Sequence, residues 1–462
     1  MSILAANTLL LTSPHLVWVW PFVAILLAIA LLPLIPKTHH WWESNRNKLL
    51  ISLALSAAAL AYYYTRAFGA HDQAPGIPTV VTVLHHALLD EYFPFMTLLF
   101  ALYVCAGGIH VRGDFRATPL VNASILAIGG VLASVIGTTG ASLLLIRLLL
   151  QTNAERRKVA HTVIFFIFIV SNCGGLLLPT GDPPLFLGYL RGVPFLWTLK
   201  LWREWAITLG LLLAIYCVWD FLAYRSETEI HRRRDTERVE PIRISGWINF
   251  IWLVCVVAAA ALLSAGVPVP GTNWSPPPYF REGVQWSIAG LSLLTTPRGT
   301  RAANQFNYTA IAEVACLFIG IFITMQPPIE MLHALGPRLS ELHFTHPWQY
   351  FWSTGLLSSF LDNAPTYVVF FETANQLTTA PGNGIIKLVT GEYIREDLLE
   401  AISLGAVFMG ANTYIGNGPN FMVKSIAEQA GVRMPSFFGY LAYSGAILIP
   451  LFVGLTIVFF NH

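Results

Sequence analysis

The chain contains few charged residues. Only 11% of its 462 residues are Asp, Glu, Lys or Arg, and 55% are hydrophobic. A soluble protein has about 25% charged residues, so the composition excludes an ordinary soluble domain and predicts an integral membrane protein. The net charge of +2 is too small to indicate nucleic-acid binding.

Cysteine is also scarce. The five cysteines lie in apolar segments without Cys-x-x-Cys spacing, which indicates buried thiols rather than disulfides or metal ligands. Residues 16–36 are apolar and lack a preceding basic flank. We therefore interpret them as a first transmembrane helix and not as a cleaved signal peptide.

Long hydrophobic runs are present throughout. A spanning helix needs about 20 apolar residues, and short alternating segments typical of spanning strands are not the pattern here. The sequence therefore predicts a mostly helical protein with spans near 16–36, 49–65, 90–110, 203–224, 247–266, 307–326 and 437–460. The segment 284–296 is shorter, and the sequence leaves open whether it crosses.

Two apolar stretches contain Gly- and Pro-rich breaks, SNCGGLLLPTGDPPLF at 171–186 and ANTYIGNGPNFM at 411–422. Non-helical backbone at membrane depth has unpaired N–H and C=O groups, and it is tolerated only around a buried or watery cavity. Matching breaks in two halves are typical of the binding site of a secondary transporter.

Two further apolar stretches are interrupted by polar residues. Residues 117–150 contain Gly137-Thr138-Thr139-Gly140, and residues 349–376 contain Asp362-Asn363-Ala364-Pro365. We interpret each stretch as a re-entrant hairpin with a polar tip. In a sequence alignment of the two halves, the two tips correspond to each other, and Asn172 corresponds to Asn412. The predicted fold is therefore an all-α integral membrane protein with two repeats, each containing one hairpin and one discontinuous helix.

Basic residues predict the orientation, because positively charged loops stay in the cytoplasm. The charged linker 225–246, the cluster at 156–158, and Arg112 with Arg116 are expected inside. The first hairpin then enters from the cytoplasm and the second from outside, which gives the repeats opposite topology. This inversion depends on 284–296 crossing the membrane.

Asp362 and Asp182 are the strongest candidate site residues. A carboxylate at membrane depth is costly unless it is paired, protonated or hydrated. Since one carboxylate can bind either H+ or Na+, each aspartate is a candidate ion carrier. The alternative is that each caps the start of a half-helix.

Amide and hydroxyl oxygens at the breaks and tips are candidate Na+ ligands. We expect Na+ near Asp362, Asn172 and Asn412, with the alternative that the asparagines only satisfy broken backbone. The complete set of candidate ion- or substrate-binding residues is Asp362, Asn363, Asp182, Asn172, Asn412, Thr413, Thr138, Thr139 and Cys173.

The segments SNCGGLLLPTGDPPLFLGYLRGVPF, SSFLDNAPTYVVFF and GANTYIGNGPNFMVKSIAEQAG resemble the ion transporter superfamily. That group contains D-type sodium/proton antiporters, citrate carriers and arsenite-pump-like proteins. The resemblance covers most of the chain from about residue 85. It implies a scaffold and a transport domain, an elevator-like movement and a homodimer. The Gly-Thr-Thr-Gly tip departs from acidic antiporter tips, and the Ser-Asn-Thr signature of anion symporters is not intact.

The corresponding division is an N-terminal helix at 1–44, a first repeat at 45–224, a linker at 225–246 and a second repeat at 247–462. The scaffold part comprises 45–116 and 247–348, and the transport part comprises 117–224 and 349–462.

We expect a sodium/proton antiporter of the plasma membrane that carries Na+ or Li+ against H+ and needs no cofactor. Its partners are then the bilayer and a second copy of the chain. The alternative is a proton- or sodium-coupled carrier of citrate or another small carboxylate or oxyanion. The absence of Arg and Lys within the breaks favours a cation. An intramembrane aspartyl protease is a remote alternative, because Pro-Thr-Gly-Asp at 179–182 lacks the Gly-x-Gly-Asp pattern.

Overall fold

The structure of the chain is a computed structural model, and it describes residues 14–33, 35–70, 73–227, 239–339, 344–378 and 380–460. Within these residues, the helices that are long and apolar enough to cross a membrane are Asn45–Thr65, Ile77–Gly107, Pro119–Ile136, Trp197–Arg225, Thr309–Leu335 and Phe437–Phe459. The chain is thus a helical, multi-pass membrane protein, as its composition predicts.

The helices of the first half are α1 (Trp20–Leu31), α2 (Pro36–Trp42), α3 (Asn45–Thr65), α4 (Ile77–Gly107), α5 (Pro119–Ile136), α6 (Thr138–Thr152), α7 (Ala160–Ile169), α8 (Pro183–Leu190) and α9 (Trp202–Arg225). The predicted span 16–36 differs from this, because α1 ends at Leu31 and a second helix starts at Pro36. Proline has no N–H to continue a preceding helix, so the chain bends here.

The helices of the second half are α10 (Ile248–Leu262), α11 (Phe280–Thr295), α12 (Arg298–Ala303), α13 (Thr309–Thr324), α14 (Gln326–Leu339), α15 (Pro347–Phe360), α16 (Asn363–Gln376), α17 (Glu396–Met409), α18 (Gly418–Gln429) and α19 (Phe437–Phe459). The uncertain segment 284–296 belongs to α11, which has 16 residues and a length of about 24 Å. It packs against α4 and α10. The inverted topology that depends on it stays a prediction.

Helices α5 and α6 form a first hairpin, and α15 and α16 form a second one. The base of the first hairpin lies at the C-terminal end of α9, where Arg156 pairs with Asp220. The base of the second hairpin lies near the N-terminal end of α9. Arg395 donates to Thr345 O just before α15, and the next residue, Glu396, accepts from Trp197 just before α9. Because α9 has 24 residues and is about 36 Å long, these two sets of contacts lie near opposite ends of α9.

Two short antiparallel strand pairs supplement the helices. Strand β1 (His110–Asp114) pairs with β2 (Glu240–Ser245), and β3 (Ile385–Lys387) pairs with β4 (Tyr393–Arg395). The first pair brings Arg112 and the end of the linker to one side of the molecule, which agrees with their expected common side. Half of the predicted linker, residues 228–238, lies outside the described residues.

The core surrounds the two helices that lead into the breaks. Every residue of α7 after its first is buried, and so is nearly all of α17 from Leu398 onward. Helix α7 continues into a first break at 170–182, followed by α8, and α17 continues into a second break at 410–417, followed by α18. The irregular backbone of both breaks is therefore enclosed by protein.

Candidate functional site

The carboxylate of Asp182, at the end of the first break, accepts hydrogen bonds from three other segments. Its donors are Thr138 Oγ1 at 3.2 Å, Asn363 Nδ2 at 2.8 Å and Asn417 Nδ2 at 3.2 Å. Asp182 is only 1% exposed. One buried carboxylate thus connects the first break with both hairpin tips and the second break.

Four helices begin at this centre. The first residues of α6, α8, α16 and α18 are Thr138, Pro183, Asn363 and Gly418. The first N–H groups of a helix have no partners within the helix, and its N-terminus carries a partial positive charge. The centre therefore combines the Asp182 carboxylate with four positive helix ends, and Asp362 immediately precedes one of them.

The first hairpin needs glycine at its tip. Gly137 has φ of 84°, a left-handed conformation that disfavours residues with a Cβ. The turn lets the Thr138 N–H donate to Gly181 O at 2.9 Å. This bond places the tip of the hairpin against the first break.

Two amide oxygens at the site are buried without a hydrogen-bond partner, Asn363 Oδ1 and Asn412 Oδ1. The amide nitrogen of Asn363 is held by Asp182, and that of Asn412 donates to Ser359 Oγ at 2.9 Å. Buried polar atoms are nearly always paired, and amide oxygens are ligands for hard cations. These two oxygens are therefore available to a bound cation or to water.

Asn172 joins the two breaks. Its Nδ2 donates to Ile167 O at 2.8 Å and to Asn420 Oδ1 at 2.7 Å, while its Oδ1 accepts from Asn417 Nδ2 at 3.3 Å. The side chain of Asn172 is thus fully used within the protein. Of the three residues expected around Na+, Asn412 has a free oxygen and Asn172 has none.

Asp362 lies at the second tip but has a different arrangement from Asp182. Its Oδ1 accepts from the Ala364 N–H at 3.0 Å and caps α16, and it is only partly buried. Among the hydrogen bonds of the described residues, none joins Asp362 to Asp182. The alternative of a capping aspartate describes the Asp362 geometry, whereas the Asp182 side chain makes no capping bond.

The remaining predicted residues lie around this centre. Thr413 Oγ1 donates to Ser359 O and accepts from Gly416 N–H at 3.1 Å, so it shapes the second break. Cys173 is fully buried at the start of a short 3-10 turn, and Thr139 is half-buried next to Thr138. Cys173 and Thr413 therefore lie in the backbone of the two breaks, next to the Asp182 centre.

Sequence analysis missed two asparagines and two serines. Asn417 contacts Asp182, and Asn420 donates to Gly410 O and Thr413 O, each at 2.9 Å. Three asparagines within 412–420 of an apolar stretch could have indicated this network. Ser134 and Ser359, aligned in the two hairpins, each donate to a backbone carbonyl at the adjoining break.

The match to known families covers nearly the whole chain. Residues 12–460 match the CitMHS_2 family, whose description is "Putative citrate transport". The chain belongs to this family. Membership in the CitMHS_2 family confirms the resemblance to citrate-carrier-like transporters, and it makes the chain a multi-pass protein of a transporter family. No curated protein matches the chain.

Proposed function

We propose that the chain is a secondary transporter that carries citrate or a related small carboxylate together with a cation. The observation that supports this is the meeting of four helix N-termini at one buried centre, in a member of a family described by citrate transport. Half-helix N-termini are a recurring way to bind anionic groups at the middle of a membrane.

The absence of Arg and Lys from the breaks favoured a cation in the sequence analysis. The positive helix ends can attract an anion without these side chains. No Arg or Lys lies in either break, and the nearest ones are engaged elsewhere, since Arg191 pairs with Glu91 and Glu372 and Lys424 pairs with Glu428. A substrate carboxylate can instead be held by the helix ends and by backbone N–H groups at the starts of α6, α16 and α18. Helix α8 begins with Pro183 and Pro184, which have no N–H. The anion-carrier alternative therefore has stronger support than it had from the sequence.

A cation is the natural partner of the buried carboxylate. Asp182 supplies a carboxylate, and Asn363 and Asn412 supply amide oxygens without partners. These are the ligand types that hard cations prefer. A bound Na+ or H+ would neutralise Asp182 and so reduce its repulsion of an anionic substrate. The binding of the cation and of the anionic substrate would then be coupled, because the anion binds better after the cation has bound.

Sodium/proton exchange without an organic anion is the second candidate. The observation that favours it is Asp182 itself, a single enclosed carboxylate that can bind either ion. In both cases we propose an elevator-like movement of the transport part in a plasma-membrane homodimer. Two carboxylates acting as a protease pair have no support in the geometry, since the partners of Asp182 are amides and a hydroxyl.

The test is transport by the purified protein in liposomes. Labelled citrate uptake is measured with an inward Na+ gradient, with an inward proton gradient and with neither. Uptake that requires one gradient is the expected result, and Asp182→Asn should abolish it while keeping the protein monodisperse. Proton movement in response to Na+ pulses without citrate, with no citrate uptake under any gradient, would favour the antiporter instead.

A further inference from the structure

A buried charge cluster lies at the far ends of α8 and α16. Arg191, which follows α8, places its Nε 2.8 Å from Glu372 Oε1 of α16. Both helices start at the Asp182 centre, and α8 has eight residues, so the cluster is about 12 Å from that centre. The cluster is therefore a separate feature from the proposed transport site.

The same cluster reaches the predicted scaffold part through two contacts. Arg191 Nη2 lies 2.5 Å from Glu91 Oε1 of α4, and His333 Nε2 of α14 lies 2.9 Å from Glu372 Oε2. Gln326 Nε2 donates to the other oxygen of Glu91 at 3.0 Å. Glu91 and Gln326 are 7% exposed and Glu372 is 6% exposed, so little water screens these charges.

We propose that the Arg191–Glu91 ion pair is a latch between the two parts, which holds the transporter in this conformation and separates when the transport part moves. The latch rests on the proposed function, because it presumes that movement. Arg191 and Glu372 belong to the predicted transport part, and Glu91 with Gln326 belongs to the predicted scaffold part.

The arrangement suits a contact that opens and closes. Leaving a buried charge without any partner is strongly unfavourable. When this pair separates, Arg191 keeps Glu372 and Glu91 keeps Gln326, so neither charge is left alone. Separation therefore costs less than breaking an isolated buried ion pair.

The chain offers a matched control. Lys48 Nζ lies 2.6 Å from Glu313 Oε1, and both residues belong to the predicted scaffold part, on α3 and α13. This ion pair resembles the Arg191–Glu91 pair in length and in burial of its cation, but it does not cross between the parts. Its removal should leave the relative position of the two parts unchanged.

The experiment measures the distance between the two parts in the full chain without substrate. Spin labels are placed at Leu53 of α3 and Leu222 of α9, which are 46% and 62% exposed, after the five native cysteines have been replaced. In Glu91→Gln we expect a second distance, with the ratio of the two populations changed about tenfold. Glu313→Gln should keep the original distribution. An unchanged distribution in Glu91→Gln, or the same change in Glu313→Gln, would overturn the latch.

Two further measurements keep the outcomes separate. If Glu91→Gln is not monodisperse, Arg191→Gln tests the same latch by removing the charge that pairs with Glu91, and it should shift the populations in the same direction. No shift in that variant overturns the proposal. Because the distance measurement uses no citrate, a protein that fails to transport citrate contradicts the proposed function and leaves the latch test intact. Normal citrate transport with unmoved distances in Glu91→Gln contradicts the latch alone.

Discussion

The two breaks end in nearly the same backbone conformation but differ in charge at that position. Asp182 and Asn417 each precede a half-helix that has proline in its first turn, with φ and ψ of −143° and 141° for Asp182 and −151° and 142° for Asn417. Their side chains touch, with Asn417 Nδ2 3.2 Å from Asp182 Oδ1. One position carries a carboxylate and the other its neutral amide.

This difference shows how a nearly symmetric backbone can hold a single charge. Two carboxylates at this separation would repel each other in an enclosed site, whereas an amide can donate to the carboxylate. The break that carries the carboxylate is also the longer one, since ten residues lead from Asn172 to Asp182 and five from Asn412 to Asn417. The following predictions test how much function depends on that single charge.

Replacing Asp182 with asparagine, the residue at the corresponding position 417, should have the largest effect on transport. Asp182→Asn keeps the size of the side chain but removes the carboxylate that the three donors face. We expect cation affinity to fall on the order of 100-fold, because a charged acceptor of three hydrogen bonds is lost. Cation-driven citrate uptake in liposomes checks this. Uptake by a folded Asp182→Asn protein that still depends on the cation gradient would contradict it.

Exchanging Asp182 and Asn417 should show whether transport needs only one carboxylate at the centre or needs it at position 182. Asn417→Asp alone places two carboxylates in contact and should lower both stability and transport. The double variant Asp182→Asn with Asn417→Asp again has one carboxylate facing one amide, so it should recover part of the transport lost in each single variant. Thermal unfolding and uptake measured on all three proteins give the answer. No recovery in the double variant would mean that the longer break itself is required.

Removing the amide that faces Asp182 from the second hairpin should have an intermediate effect. Asn363→Leu eliminates the donor 2.8 Å from Asp182 Oδ2 and one free oxygen, and we expect the KM for the cation to rise about tenfold. The control is Asn375→Leu on the same helix, whose side chain bonds Glu392 and not Asp182. Equal rises in both variants would point to a general loss of helix packing.

Neutralising the other aspartate should have the smallest effect. In Asp362→Asn the amide oxygen can still accept from the Ala364 N–H, so we expect uptake within about threefold of the unmodified protein. Asp362→Ala loses the cap and should cost about 1 kcal/mol of stability, as checked by thermal unfolding. Loss of coupling in a stable Asp362→Asn protein would restore Asp362 as the ion carrier expected from the sequence.

Sequence analysis located the four irregular segments because glycine, proline and charge are conspicuous in apolar stretches. It favoured Asp362 over Asp182 as the ion carrier, although both precede a helix start. The two geometries differ in which neighbours donate to each carboxylate, and those contacts cannot be read from the local sequence. Asn363, Thr138 and Asn417 come from three segments distant in the chain. Their meeting at Asp182 is a tertiary effect that no local pattern reveals.

Other differences have local causes that the hydropathy pattern does not contain. The first span is interrupted because Pro36 starts a new helix, and the helix predicted to end near 266 already ends at Leu262. The strand pair β1–β2 was missed because both strands are short and lie far apart in the chain. The helices between them bring the two strands together.

That strand pair has a consequence for how the polypeptide could be divided. Strand β1 ends the chain segment before the first hairpin and β2 begins the second half, and Asn249 Nδ2 of that half donates to Gly108 O at 3.0 Å. These contacts join the two halves in addition to the peptide connection between Glu227 and Val239. Two polypeptides cut within that connection and produced together should assemble like two subunits.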